Sequence, residues 1–293
     1  MNIAILSVYY VQARTLWVAK MQLDMLQLCS KKYNITLYAS ITGGREIVEP
    51  LLGQYSFVKL IEDHSTDSNP SKQHGDSLKI LLNAAKQKEY DYFVTLDMDA
   101  FPIKENWLEN LSILLNDRQP VAAIDRVENG DSSLTHPSFC VLKKSFVQEN
   151  NLDFYPNSTH ISDLHFQHFL LDTNQRIDTG ITIAYQLSKN RLDWVRLQRS
   201  NSANIHFLMA GIYGDSIFHM GATSREPKFY YQISNDAIIK RISWLKNLPF
   251  LWKLHDIIYD TRVKSISKTN KICMSTISSK LKRDPISFID TLR

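Results

Sequence analysis

The stretch Tyr90-Asp91-Tyr92-Phe93-Val94-Thr95-Leu96-Asp97-Met98-Asp99-Ala100-Phe101-Pro102 decides the fold. Tyr92 to Leu96 is an aromatic and β-branched run of the length expected of a strand buried on both faces of a parallel sheet. It stops on two carboxylates one residue apart, with a proline soon after. If the strand geometry persists, period-two alternation gives Asp97 and Asp99 one side-chain direction and turns Met98 the other way. Two like charges held side by side call for something positive between them. A hard divalent cation, Mn2+ or Mg2+, takes oxygen ligands from one or two carboxylates and leaves room for phosphate oxygens. The alternative for so short a motif is a solvated turn. Its place at the carboxyl end of a strand favours the site, because that is where open α/β sheets keep their ligand crevice.

Upstream, Asn2 to Tyr9 reads as a first buried strand, and Trp17, Met21, Met25 and Leu28 mark the stripe of an amphipathic helix. Asn34 to Ser40 is a second strand closed by Thr42-Gly43-Gly44. Phe57 to Ile61 is a third, closed by the polar loop Glu62 to Pro70. A helix with Leu78, Leu81, Leu82 and Ala85 on one stripe leads into the strand that ends on the acids. This alternation predicts an α/β fold: a mostly parallel sheet with right-handed crossovers and helices on both faces. Tyr9-Tyr10-Val11-Gln12-Ala13-Arg14 stands where a dinucleotide fold needs glycines, and there is no Walker lysine loop. An NAD enzyme and a P-loop ATPase are therefore disfavoured.

Downstream, Trp107 to Leu115 reads as helix and Val121 to Ile124 as a short strand. The succession of strand, helix, strand and strand, then the His74-Gly75-Asp76-Ser77-Leu78 helix start, then Val94-Thr95-Leu96-Asp97-Met98-Asp99-Ala100-Phe101-Pro102, resembles the GT-A-fold glycosyltransferases, closest to the family-2-like group. The resemblance runs from about Met1 to about Gly221. It implies a GT-A-like (Rossmann-like) domain whose Asp-x-Asp pair binds a divalent metal and, through it, the diphosphate of a nucleoside-diphosphate sugar.

The same resemblance assigns further residues. Arg176-Ile177-Asp178-Thr179-Gly180 matches the segment in which an acid opens a helix beside the acceptor and serves inverting members as general base. Asp178 occupies that position, with Ile177 where the family commonly has Glu. Its other reading is a helix N-cap. His219, at the end of Ser216-Ile217-Phe218, resembles the late histidine that completes the metal site in several members, against a merely hydrogen-bonded strand-end histidine. Arg225 reads as a donor-phosphate contact or a surface base. Lys72 and His74, at the entrance of the Leu78 helix, read as donor contacts, and Glu62 to Asp67 as a solvated turn near the donor. His136, His160, His165 and His168 suggest zinc only superficially, because no third ligand has a convincing position.

The 293 residues and 44% hydrophobic content suffice for a full core. Cys29, Cys140 and Cys273 are widely spaced and read as free thiols of a reducing compartment. The N-terminus lacks a basic leader and no run approaches a membrane span, which points to the cytoplasm. Lys240 to Arg293 holds 12 Lys or Arg against 4 Asp, a net of +8, so the rest of the chain nets −4. We therefore expect a glycosyltransferase domain over 1–235, with a donor half (1–102) and an acceptor half (103–235), and a basic amphipathic helical region over 236–293. Tryptophans beside lysines there suit an anionic membrane surface, peripheral on its inner face. No reader motif supports nucleic acid. The function expected is metal-dependent sugar transfer, with inversion, to a hydroxyl of a surface glycan or glycolipid, as in polysaccharide biosynthesis. Two alternatives stay open: a nucleotidyltransferase, and a catalytically silent GT-A-like domain that binds glycans or scaffolds a complex.

Overall fold

The computed structural model describes residues 1–129, 134–221, 223, 229–248 and 250–293. Strands β1 (Asn2–Tyr10), β2 (Asn34–Gly43), β3 (Val58–Leu60) and β4 (Tyr92–Leu96) alternate with helices Leu16–Cys29, Arg45–Leu52 and Pro70–Ala85. The chain continues through β5 (Ala100–Pro102), β6 (Val121–Ile124), β7 (His136–Lys143), β8 (Val195–Leu197), β9 (Gly211–Tyr213) and β10 (Ile217–His219). Seven strands form one sheet in the order β3-β2-β1-β4-β7-β6-β8, and β5-β10-β9 form a small second one. β1 to β4 run parallel, β7 runs antiparallel to both of its neighbours, and β8 is parallel to β6. The expected mostly parallel α/β sheet is what the chain forms.

Alternation along the strands sorts the core into two layers. Ile3, Ile5, Val94 and Leu96 face a layer built with Val18, Leu23 and Leu26 of the Leu16–Cys29 helix and with Trp107 and Leu108. Ala4, Leu6 and Phe93 face the other, built with Leu78, Leu81 and Leu82, with Phe146, and with Ile183 and Leu187 of the helix Ile181–Lys189. Because β1 is flanked by β2 on one side and β4 on the other, the strand order reverses there. The switch point, where such sheets bind ligands, is the crevice at the carboxyl ends of β1 and β4.

Two local readings are corrected. The buried face of the first helix is Val18, Ala19, Gln22, Leu23, Met25, Leu26 and Cys29, so of the expected Trp17, Met21, Met25 and Leu28 only Met25 belongs to it, and Leu28 is exposed. Trp17 and Met21 are half-buried, and Trp17 meets the C-terminal helix, with the Lys282 ammonium 4.7 Å from its ring centre. Between β2 and β3 there is also a helix, Arg45–Leu52, carrying Pro50 inside it. Its apolar residues Val48, Leu51 and Leu52 are buried. It starts at Gly44, whose φ is +72° and where a Cβ would sit 1.9 Å from the Val11 carbonyl oxygen, so only glycine fits.

The basic region is helical, as expected. Ala237–Ile242 and a short 3-10 turn at Ser243–Asn247 precede the 32-residue helix Trp252–Arg283 and the final Pro285–Asp290. Pro249 lies outside the described residues. Ile277, Leu281, Phe288, Ile289 and Leu292 enter the same core layer as β1. Among the described residues no helix is long and apolar enough to cross a membrane. Leu281→Ala is expected to lower stability by about 3 kcal/mol, the usual cost of a cavity at a buried leucine. Denaturant unfolding of the full chain checks it, and a change below about 0.5 kcal/mol would mean that this helix end does not pack on the core.

Candidate metal and donor site

The site is built where β4 leaves the sheet. The ladder ends at Leu96 opposite Phe139, and Asp97 N–H donates to the Ser138 carbonyl at 3.0 Å. Asp97-Met98-Asp99 is then a turn and not a continued strand, closed by Ala100 N–H donating to the Asp97 carbonyl at 2.9 Å. The two carboxylates converge through this turn, while Met98 is buried among core residues. A buried glutamine fixes the turn from beneath. Gln22 Nε2 donates to the carbonyls of Asp97 (2.6 Å) and Ala100 (3.1 Å), and its Oε1 accepts from the Tyr9 hydroxyl at 2.7 Å.

The third ligand arrives through the small sheet. β5 pairs with β10 so that Ala100 lies opposite His219, and Met220 N–H donates to the Asp99 carbonyl at 2.9 Å. This register puts His219 Nε2 3.3 Å from Asp99 Oδ1, with both side chains more than nine-tenths buried. Asp97, Asp99 and His219 each offer one ligand atom within 4.8 Å of the others, and among the described residues they form the sole such cluster. Asp97 remains 28% exposed, so the cluster opens to solvent on its side. Two carboxylates and one imidazole suit Mn2+ or Mg2+, with remaining positions left to water or phosphate oxygens.

The surroundings push the two acids in opposite directions. Burial pushes the Asp97 carboxyl up, and the charge on Asp99 adds to that, against the opposing pull of His74, His219 and Arg126. Burial acts on Asp99 too, but His219 by charge and hydrogen bond, the Thr223 hydroxyl that donates to Asp99 Oδ2, and Arg126 outweigh it and hold that carboxyl below its ordinary value. Asp99 thus gives up its proton more readily than an ordinary aspartate, and Asp97 less readily.

His74 stands with Nε2 3.6 Å from Asp97 Oδ1, on the helix Pro70–Ala85. That helix is pressed close to the chain at Gly75, where a Cβ would lie 2.5 Å from Tyr155 Cβ. Lys72, one turn earlier, is held by Asp67 at 2.9 Å and Asp76 at 3.0 Å, so its charge is already shared. Asp178 is exposed, and its Oδ1 accepts from Thr179 N–H at 2.8 Å. It does not cap the helix Ile181–Lys189; Gly180, at φ +95°, takes that place. The Thr179 hydroxyl donates to the Ser71 carbonyl at 2.8 Å, which ties the Asp178 segment to the start of the helix that carries His74. Arg225 lies outside the described residues. His165 and His168 are exposed on the helix Leu164–Asp172.

Three contributors are not foreseen from the sequence. Gln22 is legible in principle, as a polar residue in the buried register of an apolar helix. Arg126, just past the end of β6, acts on both acids and on Tyr213, and its buried Nε has no hydrogen-bond partner among the described residues. Thr223 gives no signal in the sequence, because its contact spans 124 positions.

No protein-family model and no curated protein matches the chain. Among solved structures it resembles the mannosyltransferase PcManGT from Pyrobaculum calidifontis in complex with GDP-Man and Mn2+, at 11% identity and TM-score 0.42 over 96% of this chain and 75% of that one. It also resembles an active-site mutant of LgtC, at 9% identity and TM-score 0.40 over 68% and 73%, and S. aureus TarS 1-349, at 12% identity and TM-score 0.38. The chain covers 50% of that TarS structure. A 4-diphosphocytidyl-2C-methyl-D-erythritol synthase from Anaerococcus prevotii is similar at 10% identity and TM-score 0.40.

Two outcomes test the site. Proton and cation compete for the Asp97 oxygens, and its raised affinity for the proton makes that competition begin at a higher pH than for an ordinary aspartate, about 3.9. Calorimetric Mn2+ affinity should therefore begin to fall above the ordinary aspartate range as pH is lowered, and an Asp97→Asn variant with the same pH profile as the native chain would count against Asp97 as a ligand. Gln22→Leu takes a partner from the Ala100 carbonyl and the Tyr9 hydroxyl and leaves the Asp97 carbonyl with Ala100 N–H alone, at about 1–3 kcal/mol for each buried group left unpaired. It should weaken Mn2+ binding as well as lower stability, and an unchanged Mn2+ affinity would refute the bracing role.

Proposed function

We propose that the chain is a metal-dependent glycosyltransferase of GT-A type, which moves a sugar from a nucleoside-diphosphate donor to a hydroxyl of a surface glycan or glycolipid. One observation carries the reading: Asp97, Asp99 and His219 converge at the carboxyl end of β4, at the sheet's switch point, within 4.8 Å of one another. These three residues would hold a divalent cation, Mn2+ or Mg2+. Bound there, the cation supplies the positive charge that offsets the charge developing on the leaving diphosphate.

The chain's own residues do the rest. Gln22 fixes the spacing of the two carboxylates by holding the Asp97 and Ala100 carbonyls. His74, beside Asp97, is placed to meet the donor, and Arg126 adds positive charge to the same field. Lys72 and Arg225 are assigned to the donor on sequence grounds. Asp178 takes the proton of the acceptor hydroxyl as that oxygen attacks the anomeric carbon, with inversion. Its exposure suits a base that must meet an incoming acceptor, and the Thr179–Ser71 bond holds its segment beside the donor-side helix.

Titration with UDP, GDP and CMP, each with and without Mn2+, tests the reading. Metal-dependent binding of one nucleotide should appear and be lost in Asp99→Ala. Asp178→Asn should keep that binding and lower transfer about 10²- to 10⁴-fold, the usual worth of a general base. Absence of binding by any nucleotide would sink the proposal in favour of a silent domain. Release of pyrophosphate instead of a nucleoside diphosphate would convert it to a nucleotidyl transfer.

A further inference from the structure

The segment from Ile238 to Leu254 contains four basic residues, Lys240, Arg241, Lys246 and Lys253, and no acid. All four are exposed. Among them stand large apolar side chains that face solvent: Trp244 (58% exposed), Leu248, Phe250 (91%), Trp252 and Leu254. Surface residues of this size occur singly on most proteins, but a run of them between bases is a different matter. Phe250 also adopts φ +68°, a backbone conformation that is uncommon for anything but glycine and asparagine. A bulky aromatic held in that conformation at a turn, with its ring almost wholly in solvent, is an outlier of the kind that accompanies function.

The turn is not loose chain. Ile239 packs with Ile233, Val263 and Ile266 in a satellite core. Asp236 caps the Ala237–Ile242 helix by accepting from the N–H groups of Ile238 and Ile239, and Arg262 clamps its other oxygen through Nε at 3.0 Å and a terminal nitrogen at 2.8 Å. His255 stacks on Tyr259 just beyond the apolar run. The Ala237–Ile242 helix next to the exposed residues is thus packed and capped.

We infer that this face docks on an anionic lipid bilayer surface. Tryptophan and phenylalanine rings that seek the headgroup region, flanked by lysine and arginine that meet acidic headgroups, are the chemistry of interfacial binding. The complementarity of charge decides between a bilayer and a partner protein of mixed charge: four bases without one acid match a uniformly negative sheet. The inference does not rest on the sugar-transfer reading, since neither metal nor donor takes part in it.

Sedimentation of the full chain with phosphatidylcholine vesicles, with and without phosphatidylglycerol, tests it. Binding is expected with phosphatidylglycerol, weakening as salt rises, and little with phosphatidylcholine alone. A blue shift of tryptophan emission should accompany it, because Trp107 and Trp194 are buried already and Trp244 and Trp252 are free to enter the interface. Phe250→Ser with Trp252→Ser, or Lys246→Gln with Lys253→Gln, should each reduce the bound fraction on the order of tenfold or more, with unchanged circular dichroism. No binding to the anionic vesicles at low salt would overturn the inference. So would binding that is indifferent to both double variants, or a dimer in solution that the serine variants dissociate.

Discussion

The site depends on the antiparallel pairing of β5 with β10. Each strand has only three residues, yet their register sets Ala100 opposite His219 and thereby brings an imidazole onto Asp99 from more than a hundred positions away. The Met220 to Asp99 backbone bond continues the same ladder past the strand ends. A shift of one residue would turn His219 to the other side of the pleat and break the cluster. The pairing is short enough to need help, and the packed rings of Phe101 and Phe218, with centroids 5.1 Å apart, provide it across the two strands.

Charge is managed here by asymmetry. A pair of buried acids is costly, and each would be untenable without a partner. Asp99 is given two, the His219 ring and the Thr223 hydroxyl, which favour its charged form; Asp97 keeps contact with solvent and has His74 at a looser 3.6 Å. The result is a pair of carboxylates of which one is held towards its charged form and the other away from it. Such an arrangement favours ligands that bring positive charge, and it spares the fold a second permanent charge beside the first.

The sheet is readable because its strands are. Tyr92 to Leu96 and Asn2 to Tyr10 are continuous apolar runs, and period-two burial on both faces leaves them no other role. Asp97, Asp99 and His219 are readable because polar residues closing apolar strands are conspicuous. The geometry between them is not, since it comes from a turn and a strand pairing with no local signature. The helix stripe is misplaced for a related reason: Trp17 and Met21 lie beside the buried face, and Trp17 meets Lys282 of the C-terminal helix, a long-range contact that leaves the same apolar mark as sheet packing. Gln22 is then hidden, as it falls on the face that the misplaced stripe leaves outside. The helix Arg45–Leu52 is hidden by Pro50, a residue that usually ends helices.

The packing of Ile277, Leu281 and Leu292 into the layer that contains Ile3 and Ile5 bears on how the chain is made. About 290 residues separate the first and last members of that layer. At translation rates of about 5–20 residues per second, roughly 15–60 s pass between their appearance. Throughout that interval Trp17 and its neighbours face water on a nascent sheet that lacks its final cover. Backbone ties from Ser202 N–H and Ala203 N–H to the Leu292 carbonyl also wait for this late segment. A nascent chain that has not yet delivered residues 277–292 exposes the apolar side chains they cover, and that is the state chaperones and proteases would meet.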